Sequence, residues 1–146
     1  MPNKKGDEIE MIIDKLLEFS TAQELRGTAA SEDTVDTLAA GSAYGNELWL
    51  VVRVGTALES TGKNATLTIS LQSDSASDFS TGSTLKTHVS SGAIAEASCT
   101  GNTIVWKTRI PPGLQRYLRL YYTVGTHDFT SGTIDAFLTP DVPIGF

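Results

Sequence analysis

Three stretches of this chain alternate apolar and polar residues with a period of two, which commits them to extended strands with one face buried and the other turned away. In residues 48–54, Leu48, Leu50, Val52 and Val54 share one face, and Trp49, Val51 and Arg53 the other. In residues 65–71, Ala65, Leu67, Ile69 and Leu71 oppose Thr66, Thr68 and Ser70, so the second face of that strand meets water. In residues 116–124, Leu118, Leu120, Tyr122 and Val124 oppose Tyr117, Arg119, Tyr121 and Thr123.

Weaker strand patterns fill the intervals. Residues 28–38 alternate loosely. Leu85, Thr87 and Val89 mark another candidate, which leaves His88 outward. Ile104, Trp106, Thr108 and Ile110 mark a further one, with Trp106 directed to the core, and a last one covers residues 134–138. Pro111-Pro112-Gly113 forces a turn between two of them. Short strands at this spacing predict an all-β chain, a jelly-roll β-sandwich of about eight antiparallel strands.

Two similar runs, DFSTGST at 78–84 and DFTSGT at 128–133, each precede a strand candidate and carry Gly82 and Gly132 at the same offset. A calcium loop converges several carboxylates on one ion, whereas each run offers a single Asp. The runs therefore read as corners, in which Asp closes a turn, Gly supplies positive φ, and Phe79 and Phe129 plug the open end of the sandwich.

The N-terminus follows another period. Ile9, Ile12, Ile13, Leu16 and Leu17 fall on one stripe of a helix spanning 8–19, with Asp7 and Glu10 placed as a capping box. The expected organisation is an N-terminal arm at 1–26, helical or extended, and a β-sandwich domain at 27–146. The stripe either lies on its own domain or reaches a neighbouring molecule.

Composition narrows the function. At 146 residues and 40% hydrophobic the chain supports one domain with a full core. A formal net charge of −6 gives no electrostatic attraction to nucleic acid or an anionic membrane. No apolar run reaches the length of a membrane span, and no signal-peptide pattern opens the chain, so a cytoplasmic site of synthesis is expected. Cys99 is the only cysteine, which excludes an intrachain disulfide and a thiolate metal cluster and reads as an inert small hydrophobe. The two histidines, His88 and His127, do not form the paired set that a metal-bearing jelly roll requires. With no nucleophile elbow either, the reading is a non-enzyme without cofactor or metal.

Contact residues are the remaining candidates. Lys107, Arg109, Arg116 and Arg119 form a basic stretch, read as a solvated outer face on adjacent strands or as a patch that docks on an acidic partner. Trp49, Tyr117 and Tyr121 oppose the leucine-rich faces and are candidates for an interface.

Residues 11–23 (MIIDKLLEFSTAQ), the LWLVVRV and LTISLQSD strands, PPGLQRYLRLYYTV and the late SGTIDAFLT together resemble the Bbp16 family of capsid cement proteins from tailed bacteriophages. The resemblance covers nearly the whole chain from Met11, leaving MPNKKGDEIE as an addition. It implies a jelly-roll decoration protein of the virion, made in the host bacterial cytoplasm and seated on the outer surface of the head. There it would act as a homodimer that bridges major capsid protein subunits. The matching motif positions, Pro111, Pro112, Gly113, Gln115, Arg116, Tyr117, Leu118, Arg119, Leu120 and Tyr122, carry a structural role, with Arg116 or Arg119 at a contact. The competing expectation is a phage-borne carbohydrate- or receptor-binding β-sandwich, which would place exposed aromatics around a groove.

Overall fold

The computed structural model describes residues 17–37, 48–79 and 84–139. Their strands in chain order are β1 (Glu18–Glu24), β2 (Ala29–Ala30), β3 (Val35–Asp36), β4 (Trp49–Val54), β5 (Thr66–Asp74), β6 (Lys86–Ser90), β7 (Ile94–Ala95), β8 (Thr103–Arg109), β9 (Tyr117–Gly125) and β10 (Thr133–Thr139). A 3-10 turn, Glu96–Ser98, follows β7.

The strands form two antiparallel sheets, β1-β10-β4-β8 and β2-β9-β5-β6, with β3 also on β9 and β7 also on β5. Their inward faces make one core. Leu50, Val52, Val54, Ile134, Ala136 and Leu138 from the first sheet meet Leu67, Ile69, Leu71, Leu118, Leu120 and Tyr122 from the second. These are the alternating positions of the sequence, because a strand with one apolar face gains most by turning that whole face to a partner sheet. The buried Tyr122 hydroxyl is satisfied by Ser20 at 2.7 Å, and burial holds its phenol far above the ordinary range.

Several expectations are corrected. The helix candidate at 8–19 ends too late: Glu18 and Phe19 belong to β1, where Glu18 pairs with Phe137 and Phe19 is fully buried. Residues 18–24 are thus part of the sandwich rather than of an arm. Sheet pairing and burial of Phe19 outweigh a helical spacing supported only by the residues before it. Ile9, Ile12, Ile13 and Leu16 lie outside the described residues, and Leu17 packs against the core instead of projecting as a contact.

The weak pattern at 28–38 resolves into the two short strands β2 and β3. A register shift in β8 between the Val52–Trp106 and Arg53–Ile104 pairs turns Ile104 to the outward side with Arg53, while Trp106 packs against the core as expected. A shift between β5 and β6, where Leu71 pairs with Val89 and Gln72 with Thr87, makes His88 the extra residue. It therefore turns to the buried Ser73 hydroxyl, 2.6 Å away, and not outward.

The two Asp-Phe corners are not equivalent. Phe129 joins the core at the end where β9 gives way to β10. Phe79 lies at the opposite end, between β5 and β6, buried but outside the core cluster. Gly132 has φ +122°, and a Cβ there would stand 2.5 Å from Leu58 Cδ2 and 2.6 Å from the Ala57 carbonyl, so only glycine fits. Gly82 lies outside the described residues.

Candidate interaction surfaces

The connection from β8 to β9 crosses between the sheets, and its sequence explains its shape. Gly113 takes φ +85° after the two prolines, and Leu114 drops into the core. Gln115 then clamps the crossing: its side-chain amide donates to the Ser73 carbonyl at 3.1 Å, to the Ser73 hydroxyl at 3.2 Å and to the Thr84 carbonyl. The Thr84 hydroxyl in turn donates to the buried Asp74 carboxylate at 2.5 Å. Burial, and then the charge of Lys86, holds the His88 imidazole at the edge of this network below its ordinary value.

Arg116 closes the crossing from outside. Its guanidinium meets Asp36 at two points, Nε to Oδ1 at 2.8 Å and a terminal nitrogen to Oδ2 at 3.0 Å, and it stacks on Tyr117 at 5.0 Å. Hydrogen bonding to Asp36 raises the pKa of Arg116. The motif singled out in the sequence is therefore a corner that ends in a neutralised arginine.

The outward face of β9 follows directly. Arg119 lies over the Phe79 ring at 4.6 Å and over Tyr121 at 5.3 Å, and its Nε donates to Gln72 Oε1 at 2.8 Å. Phe79 reaches this position from a turn in which its own φ is +55° and its N–H donates to the Ala76 carbonyl at 3.2 Å. Tyr117, Arg119 and Tyr121 are all half-buried.

The other outward face belongs to the first sheet. Arg109 lies over Trp49 at 4.9 Å on neighbouring strands, with exposed Lys107 one pleat along. Val51 and Phe137 on this face are also buried, though they stand apart from the core cluster. Arg53 pairs with Asp135 at 2.8 Å and bonds Asn102 at 3.1 Å.

The structure thus separates residues that the sequence reading grouped. Trp49 is on the first sheet and Tyr117 and Tyr121 on the second, so they form two faces and not one. Lys107 and Arg109 are likewise on a different sheet from Arg119, because the Pro111–Pro112–Gly113 turn carries the chain across the sandwich instead of into an adjacent strand. Sequence reasoning missed Phe79 and Gln72 as members of the Arg119 face. The Asp-Phe run announced a corner, but where its ring would rest depends on a tertiary contact.

A pocket of about 250 Å³ at the far end is lined by Leu58, Glu59, Lys63, Glu96, Cys99 and Thr100, among others. Its buried Glu96 is committed to holding a turn, accepting from the Ser60 N–H at 2.9 Å, the Ser60 hydroxyl at 2.5 Å and the Ala65 N–H at 3.1 Å. Burial alone would raise this carboxyl, but the Ser60 and Ala65 hydrogen bonds outweigh it and lower its pKa. Burial, and then Glu96, pushes the Cys99 thiol up to about 11, so it stays protonated at neutral pH. Among the described residues no group of three or more His, Cys, Asp or Glu side chains is arranged to hold a metal ion.

The class so defined is an antiparallel β-sandwich that carries an arginine–aromatic cluster on the outward face of each sheet. The chain belongs to the Bbp16 family, a phage-associated family whose model matches residues 19–138. No curated protein matches it.

Proposed function

We propose that this Bbp16-family protein is a bacteriophage capsid cement protein, a non-enzymatic decoration subunit that binds the outer surface of the head and bridges major capsid protein subunits. The observation that carries the reading is the placement of two arginine–aromatic clusters, Arg109 on Trp49 and Arg119 on Phe79 and Tyr121, on opposite sheets of one sandwich. Arginine and aromatic side chains are over-represented among residues that dominate protein interfaces. Two such clusters facing apart suit a subunit that touches two neighbours. Membership of a phage-associated family supports the setting.

The jelly-roll assignment belongs to this proposal. Counting β2 with β3 and β6 with β7 as interrupted strands leaves eight positions, whose sheet orders become 1-8-3-6 and 2-7-4-5. Successive positions then alternate between sheets except at the single connection from position 4 to position 5, as two nested Greek keys require.

The mechanism is mass action on a shell. A subunit that binds the expanded capsid more tightly than the immature one stabilises the expanded state by the sum of its binding free energies. In a homodimer each second contact is made at high effective concentration, so modest interfaces suffice. Neither a cofactor nor nucleic acid is needed, and the virion surface is the place of action after synthesis in the host cytoplasm.

Co-sedimentation of purified protein with DNA-filled heads that lack it tests the reading. Saturable binding at a copy number that matches a capsid symmetry axis is the expected result. No binding to heads, together with glycan binding, would overturn it in favour of a carbohydrate- or receptor-binding module.

A further inference from the structure

Arg119 differs from the arginines whose charge is visibly matched. Arg53 meets Asp135 and Arg116 meets Asp36, each at 2.8 Å, and Arg26 meets Glu24 at 3.7 Å. Arg119 has no acidic partner among the described residues. Its Nε is used by the Gln72 amide oxygen, and its plane is fixed by Phe79 and Tyr121. Its two terminal nitrogens donate to no described residue. A half-buried guanidinium in this state has lost part of its hydration without gaining a counter-charge, a cost that a bound anion would remove.

We propose that Arg119 is the receptor for a carboxylate side chain of the bound protein partner, taken as a two-point ion pair by the terminal nitrogens. The proposal rests on the capsid-binding reading and names the chemistry of one of its contacts. Three features point to a carboxylate. A guanidinium fork matches a carboxylate in two parallel hydrogen bonds, and here it is held rigid before the partner arrives, so little rotamer entropy remains to be lost on binding. Next, Asp74 and Asp78 lie on the segment that carries Phe79, and the chain bears a net charge of −6. This field penalises a phosphate with nearly two negative charges more than a carboxylate with one. Third, the rings of Phe79 and Tyr121 flank the guanidinium, and Tyr117 continues the same outward face of β9. Apolar surroundings that exclude water are the setting in which a charged pair at an interface gains strength.

The test compares wild type, Arg119→Gln and Arg119→Lys for copies bound per head across a salt series, with sedimentation velocity to report the oligomeric state and a thermal melt to report folding. Removing one partner of a desolvated ion pair is expected to weaken binding by about 30-fold or more in Arg119→Gln. Arg119→Lys keeps the charge but loses the fork and is expected to recover only a minor part. Melting and oligomeric state stay as in wild type. If Arg119→Gln melts early, Arg119→Lys carries the comparison. Should both variants bind heads as wild type does, the proposal fails while the cement reading stands. Should wild type itself not bind heads, both fail. Variants that fall apart as oligomers would place the carboxylate on a second copy of this chain and overturn the proposal as stated.

Discussion

Gln115 and Ser73 lie 42 residues apart in sequence and share three hydrogen bonds: the Gln115 N–H and side-chain amide both reach the Ser73 hydroxyl at 3.2 Å, and the amide also reaches the Ser73 carbonyl at 3.1 Å. Ser73 is fully buried, so its groups have no water to fall back on. Gln115→Ala is expected to destabilise the protein by roughly 2 kcal/mol, the scale of leaving buried polar groups unpaired. Urea denaturation measures it, and an unchanged midpoint would mean that water replaces the amide.

Gly132 and Gly113 separate steric clash from backbone strain. Gly113 has φ +85° with nothing within 4 Å of an added Cβ, so Gly113→Ala should cost about 1 kcal/mol. At Gly132 the same change adds a Cβ 2.5 Å from Leu58 and 2.6 Å from the Ala57 carbonyl, and a loss of at least about 3 kcal/mol is expected. Equal losses in paired denaturation curves would show that the Ala57–Leu58 segment yields.

Acid should destabilise the fold in two separable steps. The folded His88 value lies below 6.5, so above that pH the imidazole is neutral in both states; below it the unfolded chain takes up the proton first and stability falls. The folded Glu96 value lies below 4.5, so its hydrogen-bonded carboxylate contributes in full above that pH. That contribution is lost as pH drops through the folded value. His88→Gln should flatten the upper step and Glu96→Gln the lower one in stability measured against pH. A variant that leaves its own step intact would assign that step to other groups.

Cys99, with its thiol at about 11 and nearly full burial, should resist alkylation at pH 8 while the protein is folded. Labelling should appear only in denaturant, in parallel with unfolding followed by fluorescence. Fast labelling of native protein would mean that the 250 Å³ pocket beside it opens.

Where the alternation was strict, the sequence was legible down to single residues: Leu50, Val52, Leu67, Ile69, Leu118 and Leu120 all face the core as their spacing requires. What it hid are the places where the period breaks. The shifts that turn His88 inward and Ile104 outward insert one residue each, and an inserted residue leaves no compositional mark. Phe19 could be assigned to β1 only through its partner strand, more than a hundred residues away. The candidate contacts were legible as residue types, but their division between two faces depends on the crossing made by residues 110–116, a property of topology and not of spacing.

The rims of both sheets are irregular. β1 carries two register shifts and a residue, Ala22, at φ +49°; β2, β3 and β7 are two residues long; and β8 has its own shift and ends in Lys107 and Arg109. Straight, unpaired strand edges are templates on which another chain can zip. Among the described residues, β1, β2, β3, β7 and β8 offer no uninterrupted edge of useful length. Along these edges two copies are therefore hindered from merging into a continuous sheet, and association there passes through side chains on the faces, where it can be selective and reversible.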